Sequence, residues 1–344
     1  MCIFINIDGE KEGTELAGDN RMKIAEILLK ADGEFVSGED IAEETGISRA
    51  AVWKHIKNLR DNGYDIESVN RKGYRIISTD KDRFIPERIS SDIETEFIGK
   101  NIKFFDSLDS TNTYCLEHSE ELEDGSIVIA KEQTVGKGRL GRVWKSRPGD
   151  GIWMSIILKP EIPLYMSPFM TLISGAAIVE ALEKFGVDAG IKWPNDIILN
   201  GKKLCGILTE MKAQVERIEC IVTGMGINTY TEKFPDELKE KATSLKIEGY
   251  EINGEELIKE ILTSFEKMYM PYVISGNKDK ALEICRKKSV LIGKKVRVIE
   301  KGETEEVECI NIDDNGNLIV KKADGTEKRI FSGEVSVRGE NGYV

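Results

Sequence analysis

Residues 132–144 read E-Q-T-V-G-K-G-R-L-G-R-V-W, and the reading of this stretch decides what the middle of the chain is. Its G-K-G-R-L-G matches the G-x-G-x-x-G dinucleotide pattern letter for letter. That pattern holds pyrophosphate only where the loop opens a helix, whose N-terminus then faces the phosphates. Here Gly141 is followed by Val143 and Trp144, then by Pro148-Gly149-Asp150-Gly151 and another strand-like run. No helix starts, which excludes a dinucleotide fold. A kinase-type glycine loop would need a catalytic loop and a metal-binding Asp motif downstream, and neither follows. What remains is a loop with three cations, Lys137, Arg139 and Arg142, within residues 136–142. Its glycines let backbone wrap closely round a ligand, and its cations can neutralise phosphate. On composition alone it can equally be a surface loop without function.

Four other segments carry related chemistry. K-W-P-N-D at 192–196 puts a lysine just before an expected strand, and G-K-K-L-C-G-I-L-T-E follows at 201–210. Asp109-Ser110-Thr111-Asn112 offers hydroxyl and amide groups suited to a neutral polar ligand. G-M-G-I-N at 224–228 ends a strand with backbone bared by glycine. Each alone could be a turn. Together, with no Ser/His/Asp set and no metal-ligand cluster in the sequence, they point to catalysis by positioning and charge stabilisation.

A chain of 344 residues exceeds one ordinary core, so two or three domains of roughly 50–200 residues are expected. With 40% hydrophobic and 32% charged residues, the composition is that of a soluble globular protein. No apolar run approaches the ~20 residues that span a bilayer. The first seven residues are too short for a signal-peptide core, and the expected location is the cytoplasm. Six scattered cysteines without a C-x-x-C pair, and two histidines, read as buried thiols rather than disulfides or zinc ligands. A net charge of −12 excludes a protein that coats nucleic acid as a whole, so DNA contact would need a local basic surface.

The fold class expected is α+β multidomain. Residues 1–20 read as a flexible extension. Residues 21–79 read as a winged helix-turn-helix. Ile24, Ile27 and Leu28 give a first helix its apolar face. Ser37 caps a short helix over 39–45, Gly46 permits a turn, and Ser48 caps a second helix over 49–61. Val52, Ile56 and Leu59 form that helix's apolar stripe, and a hairpin follows over 65–69 and 74–77. A polar linker covers 79–86. Residues 80–288 form a central mixed-sheet α+β domain, with strands at 101–105, 126–130, 152–158, 196–199, 204–211 and 218–224 and helices at 170–185 and 254–269. Residues 289–344 carry five short strands between N-G and D-G turns, the pattern of an SH3-like small β-barrel.

Between Ser48 and Ile76 seven Arg/Lys face three acids, a local excess of cations suited to phosphate attraction. Ser48, Arg49, Lys54 and Lys57 on the second helix, with Arg71 and Lys72 on the hairpin, are the candidate DNA contacts. Arg60 and Arg75 add to the basic face. Trp53 can either pack on the wing or touch DNA.

At this point S-T-N at 110–112, Q-T-V-G-K-G-R-L-G-R-V-W at 133–144 and the three motifs at 192–196, 201–210 and 224–228 resemble the biotin–protein ligases. S-R-A-A-V-W-K-H-I at 48–56 is similar to the subgroup that also represses the biotin operon. The resemblance runs over nearly the whole chain from about Arg21. It implies that biotin and MgATP form biotinyl-5′-AMP, with Mg2+ carried by ATP and no resident metal. The biotinyl group then passes to one lysine of a biotin carboxyl carrier protein, and biotinyl-AMP acts as corepressor of a dimer on operator DNA. By the same resemblance Lys192 and Arg139 are the catalytic residues. Ser110, Thr111, Asn112, Gln133, Lys137, Gly138, Arg139 and Lys192 meet biotin, and Arg142, Trp144, Lys203 and Asn228 meet ATP, with Lys203 possible as a structural residue. Lys137 stands where many relatives carry arginine, and it cannot make arginine's planar bidentate contact. Lipoate–protein ligases share the expected fold, but their R-R-x-x-G-G-G signature is absent. A ligase whose winged helix does not read DNA, and a regulator that only senses a small molecule, are the other readings.

Overall fold

A computed structural model describes residues 20–21, 23–31, 33–61, 64–79, 89–90, 93–214, 217–300, 303–331 and 335–339. The expected extension over residues 1–20 and the linker over 79–86 lie outside them except for Asn20, which is helical, and Thr79, which ends a strand. Met1–Ser91 and Asp92–Val344 form two compact units.

In the first unit a helix over residues 23–30 precedes the helices Gly38–Thr45 and Arg49–Asp61 and the antiparallel hairpin β1 (Tyr64–Val69) and β2 (Gly73–Thr79). The sequence signals act as expected. Ser37 Oγ accepts from Asp40 N over 3.0 Å, and Gly46 closes the helix at φ 72°, a left-handed conformation that costs glycine little. Ser48 Oγ accepts from Ala51 N over 3.2 Å. Ile24, Leu28, Ile41, Val52, Ile56, Leu59, Ile66 and Ile76 close one core, each such side chain gaining about 1.5–3 kcal/mol on burial.

The second unit is built on a seven-stranded mixed sheet: β3 (Ile102–Leu108), β4 (Ile127–Gln133), β5 (Ile152–Leu158), β6 (Gly190–Lys192), β7 (Asp196–Leu199), β8 (Lys202–Gln214) and β9 (Arg217–Ile227). Their order is β3-β4-β5-β9-β8-β7-β6, with β3 and β4 parallel and the remaining pairs antiparallel. β5 is buried throughout, so it reads as an unbroken apolar run rather than an alternating one. The three-residue β6, too short to leave a periodic signal, carries Lys192 at its end, and the expected strand follows as β7. Two short helices, Thr111–Glu117 and Asp279–Lys287, also go beyond the expected elements.

The helix Phe169–Lys184 lies on the sheet, and Gly254–Ser275 packs against that helix. The second continues through Pro271, past its expected end. Beyond the proline Tyr272 is buried, lies 4.9 Å from the Phe169 ring and donates to Met166 O over 2.8 Å. Tertiary packing thus holds a turn that the missing proline N–H weakens. The run Leu164–Lys184 corrects the expectation about apolar length: it is long and apolar enough to cross a membrane, and 67% of its most apolar stretch is buried inside the fold. It is apolar nearly all round because it lies between the sheet and a second helix.

A five-stranded antiparallel sheet follows: β10 (Lys295–Glu300), β11 (Glu303–Ile312), β12 (Leu318–Lys321), β13 (Glu327–Ile330) and β14 (Val335–Gly339). Its order is β13-β12-β11-β10-β14, with β13 and β14 at the two edges. The five described cysteines are free and buried.

Candidate active site and nucleic-acid interface

The floor of the site is glycine. Register pairs Gly206 of β8 with Gly226 of β9 and Leu208 with Gly224. The missing side chains let groups from outside the sheet lie directly on it. A Cβ at Gly224 would overlap the Asn112 carboxamide, and one at Gly226 would overlap the Trp144 indole. At Gly206 it would stand 3.0 Å from the same indole and 3.1 Å from Lys203 Nζ.

Over this floor lies a polar pocket lined by Ser110, Thr111, Asn112, Gln133, Lys137, Gly138 and Arg139 among others. The helix Thr111–Glu117 begins here, capped by Ser110. Thr111 N donates to Gln133 Oε1 over 2.9 Å, and Gln133 Nε2 donates to Ser146 Oγ over 2.8 Å. Asn112 Nδ2 donates to Leu208 O over 3.1 Å and to Glu210 Oε2 over 2.8 Å. Ser155 Oγ lies 2.7 Å from Thr111 Oγ1 and 2.6 Å from Asn112 Oδ1. Ser155, Ser146 and Glu210 therefore orient the expected residues. Their signal was faint: Ser155 is the lone hydroxyl in an otherwise apolar strand, and a buried hydroxyl needs a partner.

Beside the pocket opens a basic cleft bordered by Arg142, Lys192, Asp196, Lys203 and Asn228. Arg139 and Trp144 border both cavities, as does Lys203. Lys203 Nζ is 2.6 Å from Asp196 Oδ1 and 5.1 Å from the Trp144 ring centroid. Arg139 Nη1 donates to Asn195 Oδ1 over 3.1 Å. Burial lowers the Arg139 guanidinium below its ordinary pKa, while the neighbouring Asp196 opposes that shift; the group remains a cation. Asn228 is buried and donates to Thr243 O over 3.1 Å.

Lys192 is 2% exposed at the end of β6 and borders the cleft. β6 is the edge strand, two strands away from β8. Lys203, on β8, stands where the two cavities meet.

The glycine-rich loop folds back as a narrow ladder. Gln133 bridges Ser146 and Lys137 bridges Val143. Trp144 N donates to Gly136 O over 2.8 Å, and Gly138 N to Arg142 O over 2.7 Å. Its tip is a 3-10 turn, Arg139–Gly141, with Leu140 at φ 57°. No α-helix starts there, as the rejection of a dinucleotide fold requires.

In the first unit Ser48, Arg49, Lys54, Lys57, Arg71 and Lys72 are all exposed. Arg60 is also exposed, and it donates to Ile66 O over 2.7 and 2.9 Å and reaches Ser68. Arg75 pairs with Glu67 over 2.7 Å and lies 4.5 Å from the Phe35 ring centroid. Both hold the hairpin in place.

Comparison with known proteins matches residues 104–228 to the biotin/lipoate A/B protein ligase family, residues 20–75 to an HTH domain, and residues 291–338 to the biotin protein ligase C-terminal domain. The bifunctional ligase/repressor BirA of Bacillus subtilis is 39% identical over 92% of this chain and 98% of its own length. Its Escherichia coli namesake is 32% identical over 93% and 98%. The biotin protein ligase from Aquifex aeolicus, solved in complex with biotin and ATP, superposes with a TM-score of 0.62 at 26% identity, covering 70% of this chain and all of that one. The glycine-floored pocket, its basic cleft and these similarities over nearly the full length lead to one assignment: the chain belongs to the biotin/lipoate A/B protein ligase family and carries an HTH domain at its N-terminus.

Proposed function

We propose that the chain is an ATP-dependent biotin–protein ligase and a biotin-responsive transcriptional repressor. The observation that carries the enzyme reading is the pair of cavities joined at Lys203 and Trp144. One sets hydroxyl and amide groups suited to a ureido ring beside the cations Lys137, Arg139 and Lys203, suited to a carboxylate; the other is basic and suited to a nucleotide. A carboxylate bound in the first meets the α-phosphate of a nucleotide in the second at their junction.

There the carboxylate oxygen attacks the α-phosphorus of ATP, the bond to pyrophosphate breaks, and biotinyl-5′-AMP forms. In the second step the amine of a carrier lysine attacks the acyl carbon, AMP leaves, and an amide forms. Both steps need negative charge neutralised around a fixed geometry. Buried Lys192, at the cleft, takes the place between carboxylate and α-phosphate, and Arg139, which borders both cavities, closes over the intermediate with Lys137. Lys203, Arg142 and Asn228 meet ATP. Trp144 packs against adenine. A preorganised cation in such a site contributes about 3–4 kcal/mol to the transition state. Mg2+ enters with ATP.

The repressor reading is carried by the HTH domain and by the exposed cations Arg49, Lys54, Lys57, Arg71 and Lys72, with Ser48 fixing the start of the recognition helix. The protein works in the cytoplasm. The adenylate orders the loop over 136–142 and favours a homodimer on operator DNA. It does so only by binding the dimer-competent state more tightly. The domains run over 1–20, 21–79, 80–288 and 289–344, and the last closes as an SH3-like barrel.

The test is sedimentation and promoter gel shifts with and without biotin plus ATP, run beside carrier labelling. Labelling with a ligand-dependent dimer and shift supports both activities. Labelling alone leaves a ligase without repression, and a shift alone leaves a sensor.

A further inference from the structure

We infer that Trp53 reads an A·T base pair in operator DNA through the C5 methyl of thymine. This rests on the DNA-binding reading above and adds a specificity-determining residue to it. The helix Arg49–Asp61 buries Val52, Ile56 and Leu59 in the core. Arg49, Trp53 and Lys57 follow one another at intervals of four, a single row outside that stripe. Trp53 is 58% exposed, whereas Trp153 and Trp193 are buried. A tryptophan left in water on a three-helix domain adds little to the stability of the core, so its apolar face is available to a partner.

The charges around it identify the partner. Arg49, Lys54 and Lys57 on the helix and Arg71 and Lys72 on the hairpin are exposed, whereas Arg60 and Arg75 are engaged with the hairpin. Cores of protein–protein interfaces are depleted in lysine, while a polyanion is attracted by such a rim. Among the groups that a duplex presents in its major groove, the thymine methyl is the apolar one. An indole at the fifth position of the recognition helix lies in the N-terminal half that meets base edges.

The test uses the full chain with biotin and ATP, and a duplex that the wild-type protein selects from a random library. Fluorescence anisotropy then compares this duplex with a scrambled one of the same composition. Trp53→Ala is expected to lose at least tenfold of the preference for the selected duplex. Its affinity for the scrambled duplex, its salt dependence and its carrier labelling stay at wild-type levels. Replacing thymines one at a time by deoxyuridine, which lacks the methyl, costs the wild type several-fold at one position per half-site and costs Trp53→Ala nothing there. The inference is overturned if Trp53→Ala keeps the full preference, or if no uracil replacement weakens the wild type. A Trp53→Ala defect in dimer sedimentation with base preference intact also overturns it, in favour of a protein contact. A wild type that selects no duplex sinks the DNA-binding reading itself, an outcome distinct from the failure of Trp53 alone.

Discussion

Trp193, the neighbour of Lys192, donates from its buried indole nitrogen to the carbonyl of Gly316 over 2.9 Å. Gly316 sits at φ 81° in a turn where a Cβ would meet Leu172 and Phe169. Asp313 organises this turn by accepting from Asn315 N and Asn317 N, each over 2.9 Å. On the other side of β6, Ile191 N donates to Lys288 O over 2.7 Å and Ile191 O accepts from Val290 N over 3.0 Å. The strand carrying Lys192 is thus held by the C-terminal segment at two points.

Replacing Trp193 with Phe keeps the bulk and removes the donor, leaving a buried carbonyl unpaired at a cost of about 1–3 kcal/mol. The expected kinetic result is a several-fold slower pyrophosphate release, since this contact holds the strand that carries Lys192. Pyrophosphate-release kinetics measure it, and a wild-type rate would place the contact's effect elsewhere.

The glycine floor offers a second separation. Gly224→Ala pushes on Asn112 and Gly226→Ala on Trp144. The first is expected to weaken biotin binding by about tenfold or more with little effect on ATP, and the second to do the reverse; a tenfold loss corresponds to about 1.4 kcal/mol. Titration of each variant with each substrate decides it, and indistinguishable profiles would refute the division of the site.

Arg139 borders both cavities and is anchored by Asn195. Arg139→Gly removes that anchor and frees the loop tip, so biotinyl-AMP should escape and label bystander lysines. Mass spectrometry of an added unrelated protein reads this out. Labelling confined to the carrier would show that Arg139 does not retain the intermediate. Lys137→Arg should act in the opposite sense and slow escape, since arginine adds a bidentate contact.

Much of this arrangement was legible in the residues themselves. The caps Ser37 and Ser48, the turn glycine Gly46 and the apolar stripe Val52, Ile56, Leu59 are local signals, and they set the structure where they were expected to. The missing helix after Gly141 was equally plain. Long-range geometry was less accessible. Nothing in G-K-K-L tells that Lys203 reaches the junction of two cavities while Lys192 borders one, because that depends on strand order. The lone Ser155 in β5 shows its use only once Thr111 and Asn112 are folded over it. Helical periodicity put Arg60 on the basic face but does not record its hydrogen bond to Ile66.

In the first unit His55 lies beside Lys54 and Arg21, and burial, with those two cations, lowers its pKa below the ordinary histidine value. Its charged form is therefore disfavoured in the fold. The sign follows: this contribution to stability is fully present above the unfolded value of about 6.5 and is lost as pH falls through the lower folded value. Protection of the helix Arg49–Asp61 against hydrogen exchange, taken relative to the intrinsic rate at each pH, should fall on acidification below neutral pH, and His55→Gln should flatten that dependence. An unchanged pH profile in His55→Gln would assign the effect to another group.

The most direct test of the central claim is mass spectrometry of a biotin carboxyl carrier domain incubated with the full chain, biotin and MgATP. A gain of one biotinyl group on a single carrier lysine, dependent on ATP and accompanied by pyrophosphate release, is the predicted result, with Lys192→Ala losing both. A carrier left unmodified by the wild-type chain, or Lys192→Ala releasing pyrophosphate at the full rate, would contradict the account.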